Sequence, residues 1–253
     1  MDYKIFSPTY RRPTIAVAHK YLTTLKYAVC ESQAAEYRKH IPESNIWVVP
    51  DSAQGNVSRI RNYILDHAES DCVLIVDDDL TGIGQWDGIK SQKFDEQEAY
   101  SFIDNGFTMA ADGNFHLWGF NCVAGDRGQY QDYCPFSFKR PVLGPFSGHY
   151  KNECRYDERF SLKEDYDMSL QVLHRYRWLL RFNWCHYFND FHSLTGGCAS
   201  YRTLQREKEQ LIALQKKWGK EIVREDNGAG RVTKKRDGIT NIDPLIRPPI
   251  KGV

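Results

Sequence analysis

Four short apolar runs occupy the first third of the chain, and each ends at a turn. Residues 3–6 (Tyr-Lys-Ile-Phe) stop at Ser7-Pro8-Thr9. Residues 27–30 (Tyr-Ala-Val-Cys) and 46–49 (Ile-Trp-Val-Val) follow, the latter stopped by Pro50-Asp51, and residues 72–76 (Cys-Val-Leu-Ile-Val) form the fourth. Between the third and fourth runs, Val57, Ile60, Ile64 and Ala68 recur at spacings of three and four, the period of a helix lying on a core. Strands alternating with helices predict an α/β fold of the doubly wound kind, with a mixed, mostly parallel sheet flanked by helices. Ligands of such sheets sit at the C-terminal ends of the strands. Residues 7–12, Glu31, residues 51–56 and residues 77–79 are therefore expected to meet in one crevice.

The remainder is less regular. Residues 87–97 are polar and loop-like, 98–111 have helical spacing, and 117–123 (Leu-Trp-Gly-Phe-Asn-Cys-Val) read as another strand. Residues 125–133, rich in Gly, Asp and Gln, read as a loop, and 141–150 as a Gly/Pro-punctuated segment with aromatics. A helix is expected from Glu164 through Leu170, Val172 and Leu173. Another spans 201–218, with Leu204, Leu211, Leu214 and Trp218 on one face. After Gly219 the chain is polar and carries Pro244, Pro248 and Pro249, the composition of an arm or tail. This divides the chain into a domain over 1–218, with halves at 1–80 and 81–200, and a basic C-terminal extension over 219–253.

Composition narrows the classes. The 253 residues suffice for one large α/β domain or two small ones. Lys plus Arg number 34 against 33 Asp plus Glu, a net +1 that excludes a histone-like DNA coat and an acidic solvating chain. The balance hides an asymmetry, because residues 202–253 hold 13 basic and 7 acidic side chains while the first 201 carry a net −5. An acidic body suits a divalent cation and a basic end suits a polyanion, unless Arg206, Lys208, Lys216, Lys217 and Lys220 simply solvate a helix face. No apolar run approaches a membrane span and no secretory pattern opens the sequence. The seven cysteines form no CxxC pair, so reduced thiols in the cytoplasm (a host cell's, if the chain is viral) are expected. No protein partner is inferable.

The strongest chemical signal is Asp77-Asp78-Asp79 at the end of the fourth run. Three adjacent carboxylates leaving a buried strand repel one another unless a cation neutralises them. Strand alternation would send Asp77 and Asp79 to one side and Asp78 to the other. Two enzyme classes use such a strand end: haloacid-dehalogenase-like phosphohydrolases, whose Asp-x-Asp-x-Thr fits residues 77–81, and nucleotide-sugar glycosyltransferases with an Asp-x-Asp. Three strands precede this one, whereas the phosphohydrolase pattern opens its domain. A second segment, residues 51–56 (Asp-Ser-Ala-Gln-Gly-Asn), leads into a helix carrying Arg59, Arg61 and Asn62, where free N–H groups and arginines suit phosphates. Arg11 and Arg12 are similar candidates. A third places Glu164, Asp165 and Asp167 at a helix start, either as favourable charge on the helix dipole or as a general base. A fourth, residues 189–198, offers His192 as a nitrogen ligand, with His186 a weaker rival.

In this order the segments resemble the GT-A, Rossmann-like glycosyltransferases. The match rests on Ser7-Pro8-Thr9-Tyr10, on Gly55 to Asn62, on Val76-Asp77-Asp78-Asp79, on Asp157-Glu158-Arg159-Phe160 running to Glu164-Asp165-Tyr166-Asp167, and on a final His. Residues 30–37 and 50–56 with the triple Asp are similar, more narrowly, to the TET-associated glycosyltransferases of bacteriophages, which add sugars to hydroxymethylated pyrimidines in DNA. The resemblance covers roughly residues 3–200. It implies metal binding (Mn2+ or Mg2+) by Asp77, Asp79 and His192, and nucleotide-sugar contacts from Thr9, Arg11, Asp51, Gln54, Arg59, Arg61 and Asp78. It further implies Asp165 as catalytic base with Glu164 beside it, a nucleotide-diphosphate sugar (a UDP-sugar first) as donor, and 5-hydroxymethylcytosine in DNA as acceptor. Trp118, Phe120, Tyr130, Tyr133, Phe136 and Phe138 are candidate stacking surfaces for an exposed base. The alternatives are a phosphohydrolase, a glycosyltransferase acting on a non-DNA acceptor, and a binding module that has lost catalysis.

Overall fold

The computed structural model describes residues 1–120, 134–189, 201–225 and 242–250. The four expected strands are β1 (Lys4–Pro8), β2 (Lys26–Cys30), β3 (Ile46–Val49) and β4 (Cys72–Val76). They run parallel in the order β3-β2-β1-β4. Two helices cross between them, α1 (Glu31–Tyr37) and α2 (Val57–His67). All five residues of β4 are buried, and alternation divides them between two cores. Val73 and Ile75 pack with Phe6, Ala28 and Val49 and with Ile60 and Ile64 of α2. Leu74 and Val76 join Tyr27, Val29 and Ala34 on the other face, where Ile103 and Phe107 of α3 (Glu96–Asp112) complete the layer. A strand apolar on both faces is what a sheet covered on both sides requires. Each such side chain contributes roughly 1.5–3 kcal/mol.

Past β4 the sheet becomes mixed. Leu80 to Trp86 form β5, which pairs antiparallel with β6 (Ser91–Lys93) and with β11 (Cys185–Asn189) in a separate three-stranded sheet. In the main sheet, β9 (Phe146–Tyr150) lies antiparallel between β4 and β7 (Leu117–Phe120). Beyond β7 come β10 (Leu180–Phe182), parallel to it, and the edge strand β8 (Phe136–Ser137). The expected helices are α3, α4 (Glu164–Tyr176) and α5 (Leu204–Trp218).

Four expectations change. Residues 87–97 hold β6 and the start of α3, where the Asp95 side chain caps Glu98 N while Glu98 reaches back to Asp95 N. Residues 141–150 contain β9, a central strand whose Ser147-Gly148-His149 interior gives no apolar alternation. Its Gly148 is filled from outside, since a Cβ there would sit 2.0 Å from the Trp118 indole nitrogen. Leu204 lies in the exposed first turn of α5, which packs through Leu211 and Leu214 instead. After Gly219, β12 (Val223–Glu225) pairs with β13 (Pro244–Ile246), and Val223 is buried against Phe160, Tyr166, Leu211 and Leu214. The described part of that region thus contributes core contacts.

His149 sits buried on β9, its Nδ1 facing the Asn152 amide at 3.0 Å and its Nε2 facing the Tyr156 hydroxyl at 3.3 Å. Burial, with Arg61 and Arg155 adding, pushes its pKa down to about 3. The folded state therefore excludes a proton that the unfolded chain takes up below its ordinary value of 6.5. The stability difference between wild type and His149→Gln is expected to be constant above that pH. It then falls by about 1.4 kcal/mol per pH unit toward pH 3, as read from urea unfolding across pH.

Candidate active site

The ends of β1, β2, β3 and β4 meet as the topology requires. Arg11 N donates to Gln33 Oε1 at 2.8 Å, Ser32 N and Oγ donate to Asp51 Oδ1 at 3.1 and 2.8 Å, and Gln54 Nε2 reaches the Thr9 carbonyl at 3.4 Å. Arg11 holds φ at +54°, a conformation disfavoured by roughly 1–2 kcal/mol for a residue with a Cβ, and its guanidinium lies 5.1 Å from the Tyr10 ring centre. Gly55, at φ +137°, makes the turn into α2, and the Asn56 side chain accepts from Arg59 N. Arg59 is exposed and bonded to Glu158 Oε2 (2.9 Å) and to the Gln54 carbonyl (3.2 Å).

The three aspartates form a turn between β4 and β5 rather than extending the strand, and their roles separate. Asp78 is fully buried. Arg12 grips it with Nε on Oδ2 at 2.8 Å and Nη2 on Oδ1, and Thr9 Oγ1 donates to Oδ2 at 2.6 Å. The Asp78 carbonyl receives the Val17 and Ala18 amides. Thr9 is itself buried, 2.8 Å from the Tyr37 hydroxyl. Thr9 and Asp78, expected as nucleotide contacts, are thus committed to partners inside the protein. Asp77 and Asp79 are half-buried. Asp79 Oδ1 is buried with no hydrogen-bond partner. Burial and the charges of Asp77 and Asp78 push its carboxyl pKa up to about 7.

Arg61 was also expected to meet phosphate, but it is 2 % exposed. Its Nη1 donates to Glu164 Oε1 at 2.9 Å, and its Nη2 to the Gly144 carbonyl at 3.1 Å and to Asp77 Oδ1 at 3.3 Å. The Tyr156 ring lies beneath it, 5.5 Å from centre to Cζ. Arg61 therefore joins the end of β4 to the start of α4. Glu164 is buried, and burial together with Asp165 pushes its pKa up to about 7. Asp165 remains half-buried, taking Gly144 N–H on Oδ2 at 3.1 Å and Tyr166 N–H on Oδ1 at 2.8 Å. Its pKa is raised by burial, against the Gly144 amide and Arg61. His192 lies outside the described residues, as do Asp190, Tyr130 and Tyr133. His186 is described on β11, buried, with Nε2 unpartnered and its pKa lowered by burial.

The profile of the TET-associated glycosyltransferases matches residues 3–197. The chain belongs to that family. No curated protein matches the sequence. Among solved structures, it is similar to the mannosyltransferase PcManGT from Pyrobaculum calidifontis in complex with GDP-Man and Mn2+ (TM-score 0.52, 14% identity, 85% of this chain and 63% of that one). It is also similar to residues 1–349 of S. aureus TarS in complex with UDP-GlcNAc (TM-score 0.50, 13% identity, 85% and 67%). The chain spans about two thirds of the length of these structures. At such identity the likeness concerns the fold, which is the GT-A arrangement. Family membership leaves the phosphohydrolase alternative without support.

For a TET-associated glycosyltransferase the aromatic expectation needs correction. Trp118 and Phe120 are buried in the core, Phe120 stacked on Phe146 with centroids 3.9 Å apart, so neither offers a face to a base. Phe136 and Phe138 are partly buried against that core. Among the described residues no three His, Cys, Asp or Glu side chains group as a metal site. The donor set nonetheless fits a divalent cation in part, because the unpartnered Asp79 Oδ1 lies in a turn with the half-buried Asp77 carboxylate. Sequence reasoning missed Arg12 as the partner of Asp78, Arg61 as the bridge, and Gly144. Only Gly144 carried no signal at all, since its role lies in a peptide group.

The Arg12–Asp78 pair, whose carboxylate is fully buried, and the exposed Arg59–Glu158 pair give a contrast. Arg12→Ala leaves a buried charge uncompensated and is expected to cost about 3–5 kcal/mol. Arg59→Ala is expected to cost at most about 1 kcal/mol. Equilibrium denaturation measures both.

Proposed function

We propose that this chain is an inverting, metal-dependent glycosyltransferase that moves a sugar from a nucleotide-diphosphate sugar to the hydroxyl of a hydroxymethylated pyrimidine, 5-hydroxymethylcytosine first, in DNA. The observation that carries the reading is Asp165. It is a half-buried carboxylate at the head of α4, oriented by the Gly144 amide and next in sequence to Glu164, which Arg61 links to the Asp77 strand end. Asp165 takes the proton from the acceptor hydroxyl as that oxygen attacks the anomeric carbon. The bond from this carbon to the diphosphate oxygen breaks, and its electron pair leaves with the nucleotide. Glu164, buried against Arg61, orients the pair rather than receiving the proton.

Asp77 and Asp79 would hold Mn2+ or Mg2+, with His192 as third ligand, and the cation supplies charge neutralisation to the departing diphosphate. Arg11, Asp51, Gln54 and Arg59 surround the nucleotide side of the crevice. Nucleotide donors bound by PcManGT and TarS support a nucleotide sugar here, and a UDP-sugar is our first choice. The family's association with TET enzymes and the net +6 of residues 202–253 support DNA as acceptor. On this reading residues 1–80 bind donor, 81–200 supply base and acceptor contacts, and 219–253 form a basic extension. No helix among the described residues is long and apolar enough to cross a membrane.

Four measurements test this. UDP-GlcNAc, UDP-glucose and GDP-mannose, each with and without Mn2+, are screened by thermal shift. A donor at about 100 times its Kd is expected to add about 2.7 kcal/mol, and only with the metal present. A panel without any shift overturns the donor assignment. Asp165→Asn is expected to lower kcat for transfer to hydroxymethylated DNA by about 10²–10⁴-fold. Because the Asp79 carboxyl holds its proton up to about pH 7, Mn2+ affinity should rise by up to about tenfold per pH unit below that value and level off above it. Asp79→Asn removes this slope, and calorimetric titration reads both. DNA affinity should fall linearly on a log–log plot against salt, and Lys216→Gln with Lys220→Gln, both exposed, should flatten the slope.

A further inference from the structure

Residues 142–145 form a strap across the head of α4. Ser169 Oγ donates to the Val142 carbonyl at 3.0 Å and faces the Val142 amide at 3.1 Å. One turn earlier on the same helix face, Asp165 Oδ2 takes the Gly144 amide at 3.1 Å. The Gly144 carbonyl, on the other side of the same residue, accepts from Arg61 Nη2 at 3.1 Å. The next carbonyl, of Pro145, receives the backbone amide of Asp77 at 3.1 Å, just before β9 begins. Four consecutive residues therefore contact α4, α2 and the end of β4, and three of those contacts involve groups assigned above to the reaction or to the bridge behind it.

The glycine is required for space and not for backbone freedom. Gly144 has no positive φ, so alanine meets no backbone penalty there. A Cβ at 144 would lie 2.9 Å from Arg61 Nη2 and 3.0 Å from Nη1. Arg61 cannot withdraw cheaply, because its guanidinium is buried and held by Glu164, Asp77 and the Tyr156 face. A methyl group at 144 must therefore displace either the arginine or the strap, and the strap carries the amide that aims Asp165.

We propose that Gly144 is a positioning residue: its amide fixes the Asp165 carboxylate and its carbonyl fixes Arg61, so that base and donor-site strand end keep one register. The proposal rests on the assignment of Asp165 as base. Misplacing a catalytic group by about 1 Å costs on the order of 100-fold. Gly144→Ala is therefore expected to lower kcat for transfer to hydroxymethylated DNA by about 100-fold, with the Kd for Mn2+ and the KM for the donor found in the thermal-shift panel changing far less than kcat. In an Asp165→Asn background the same change should cost nothing more, since both act through one carboxylate.

Wild-type kcat in Gly144→Ala, or full additivity with Asp165→Asn, overturns the proposal. Equal losses in kcat and Mn2+ affinity also overturn it, because they signal general disruption. Should Gly144→Ala fail to fold, Ser169→Ala releases the strap one turn further along and carries the same expectation. A readout without donor or acceptor separates this proposal from the assignment of the base. In amide NMR spectra of the full chain, the Gly144 proton is expected well downfield, moving upfield in Asp165→Asn as a carboxylate acceptor becomes a neutral amide. An unmoved Gly144 resonance ends the proposal whatever the activity. Full transfer by Asp165→Asn with a moved resonance ends the base assignment and leaves the strap geometry standing.

Discussion

Five carboxylates meet where β4 ends and α4 begins: Asp77, Asp78, Asp79, Glu164 and Asp165. Two arginines are hydrogen-bonded to them, the half-buried Arg12 to Asp78 and the buried Arg61 to Asp77 and Glu164. The rest of the architecture follows from that imbalance. Arg12 fully engages the most deeply buried carboxylate and so fastens the loop after β1 to the end of β4. Arg61 spans the gap between two elements that are far apart in sequence. The carboxylates left partly uncompensated, Asp79 and Asp165, are half-buried, as the proposed roles of cation ligand and base require. One sheet edge thus provides both a rigid anchor and an unsatisfied charge, and the difference between them is set by which aspartate has an arginine.

Much of this fold was legible in the residues themselves. The alternation of Val73 and Ile75 against Leu74 and Val76, the three-and-four spacing along α2, and the carboxylates at the head of α4 announced their elements. What stayed hidden depends on pairings across long separations. Arg12 meets Asp78 from 66 positions away and Arg61 meets Glu164 from 103, and no local pattern distinguishes an arginine that turns inward from one that waits for phosphate. β9 was illegible for a different reason. Its middle residues are Ser147, Gly148 and His149, none of them large and apolar, and they are buried by distant neighbours, Trp118 over the glycine and Asn152 and Tyr156 against His149. Gly144 is the extreme case, since a peptide N–H and C=O have no letter in the sequence.

The basic character of the C-terminal part is likewise only partly a surface property. Lys217 bonds Asp157 at 2.9 Å and Asp167 at 2.8 Å, and Trp218 Nε1 donates to Asp167 Oδ1 at 2.7 Å. Lys163, which immediately precedes Glu164, is buried against Glu207 of α5 at 2.6 Å. α5 therefore braces α4 from behind through ion pairs, of which Lys163–Glu207 is withdrawn from water on both sides and Lys217 reaches a fully buried Asp167. Breaking one of these is costly because the remaining partner is stranded. Lys217 serves this brace, so only part of the +6 is available to a polyanion.

The brace and the site have opposite effects on stability. Asp79 and Glu164 carry pKa values raised to about 7, so their folded forms bind protons that the unfolded chain releases above its ordinary carboxylate range. Their contribution to stability is full at low pH and is lost as pH rises through 7, which makes the carboxylate cluster a liability at neutral pH. The compensation lies elsewhere. Asp167, two positions from Asp165 in sequence but fully buried, is satisfied by Lys217, Trp218 and Gln171, and Trp118 is packed against Gly106 and Gly148. Two acidic residues separated by a single tyrosine are thus used in opposite ways. Asp167 is saturated and secures α4, and that security is what allows Asp165 to be held in an environment its charge disfavours.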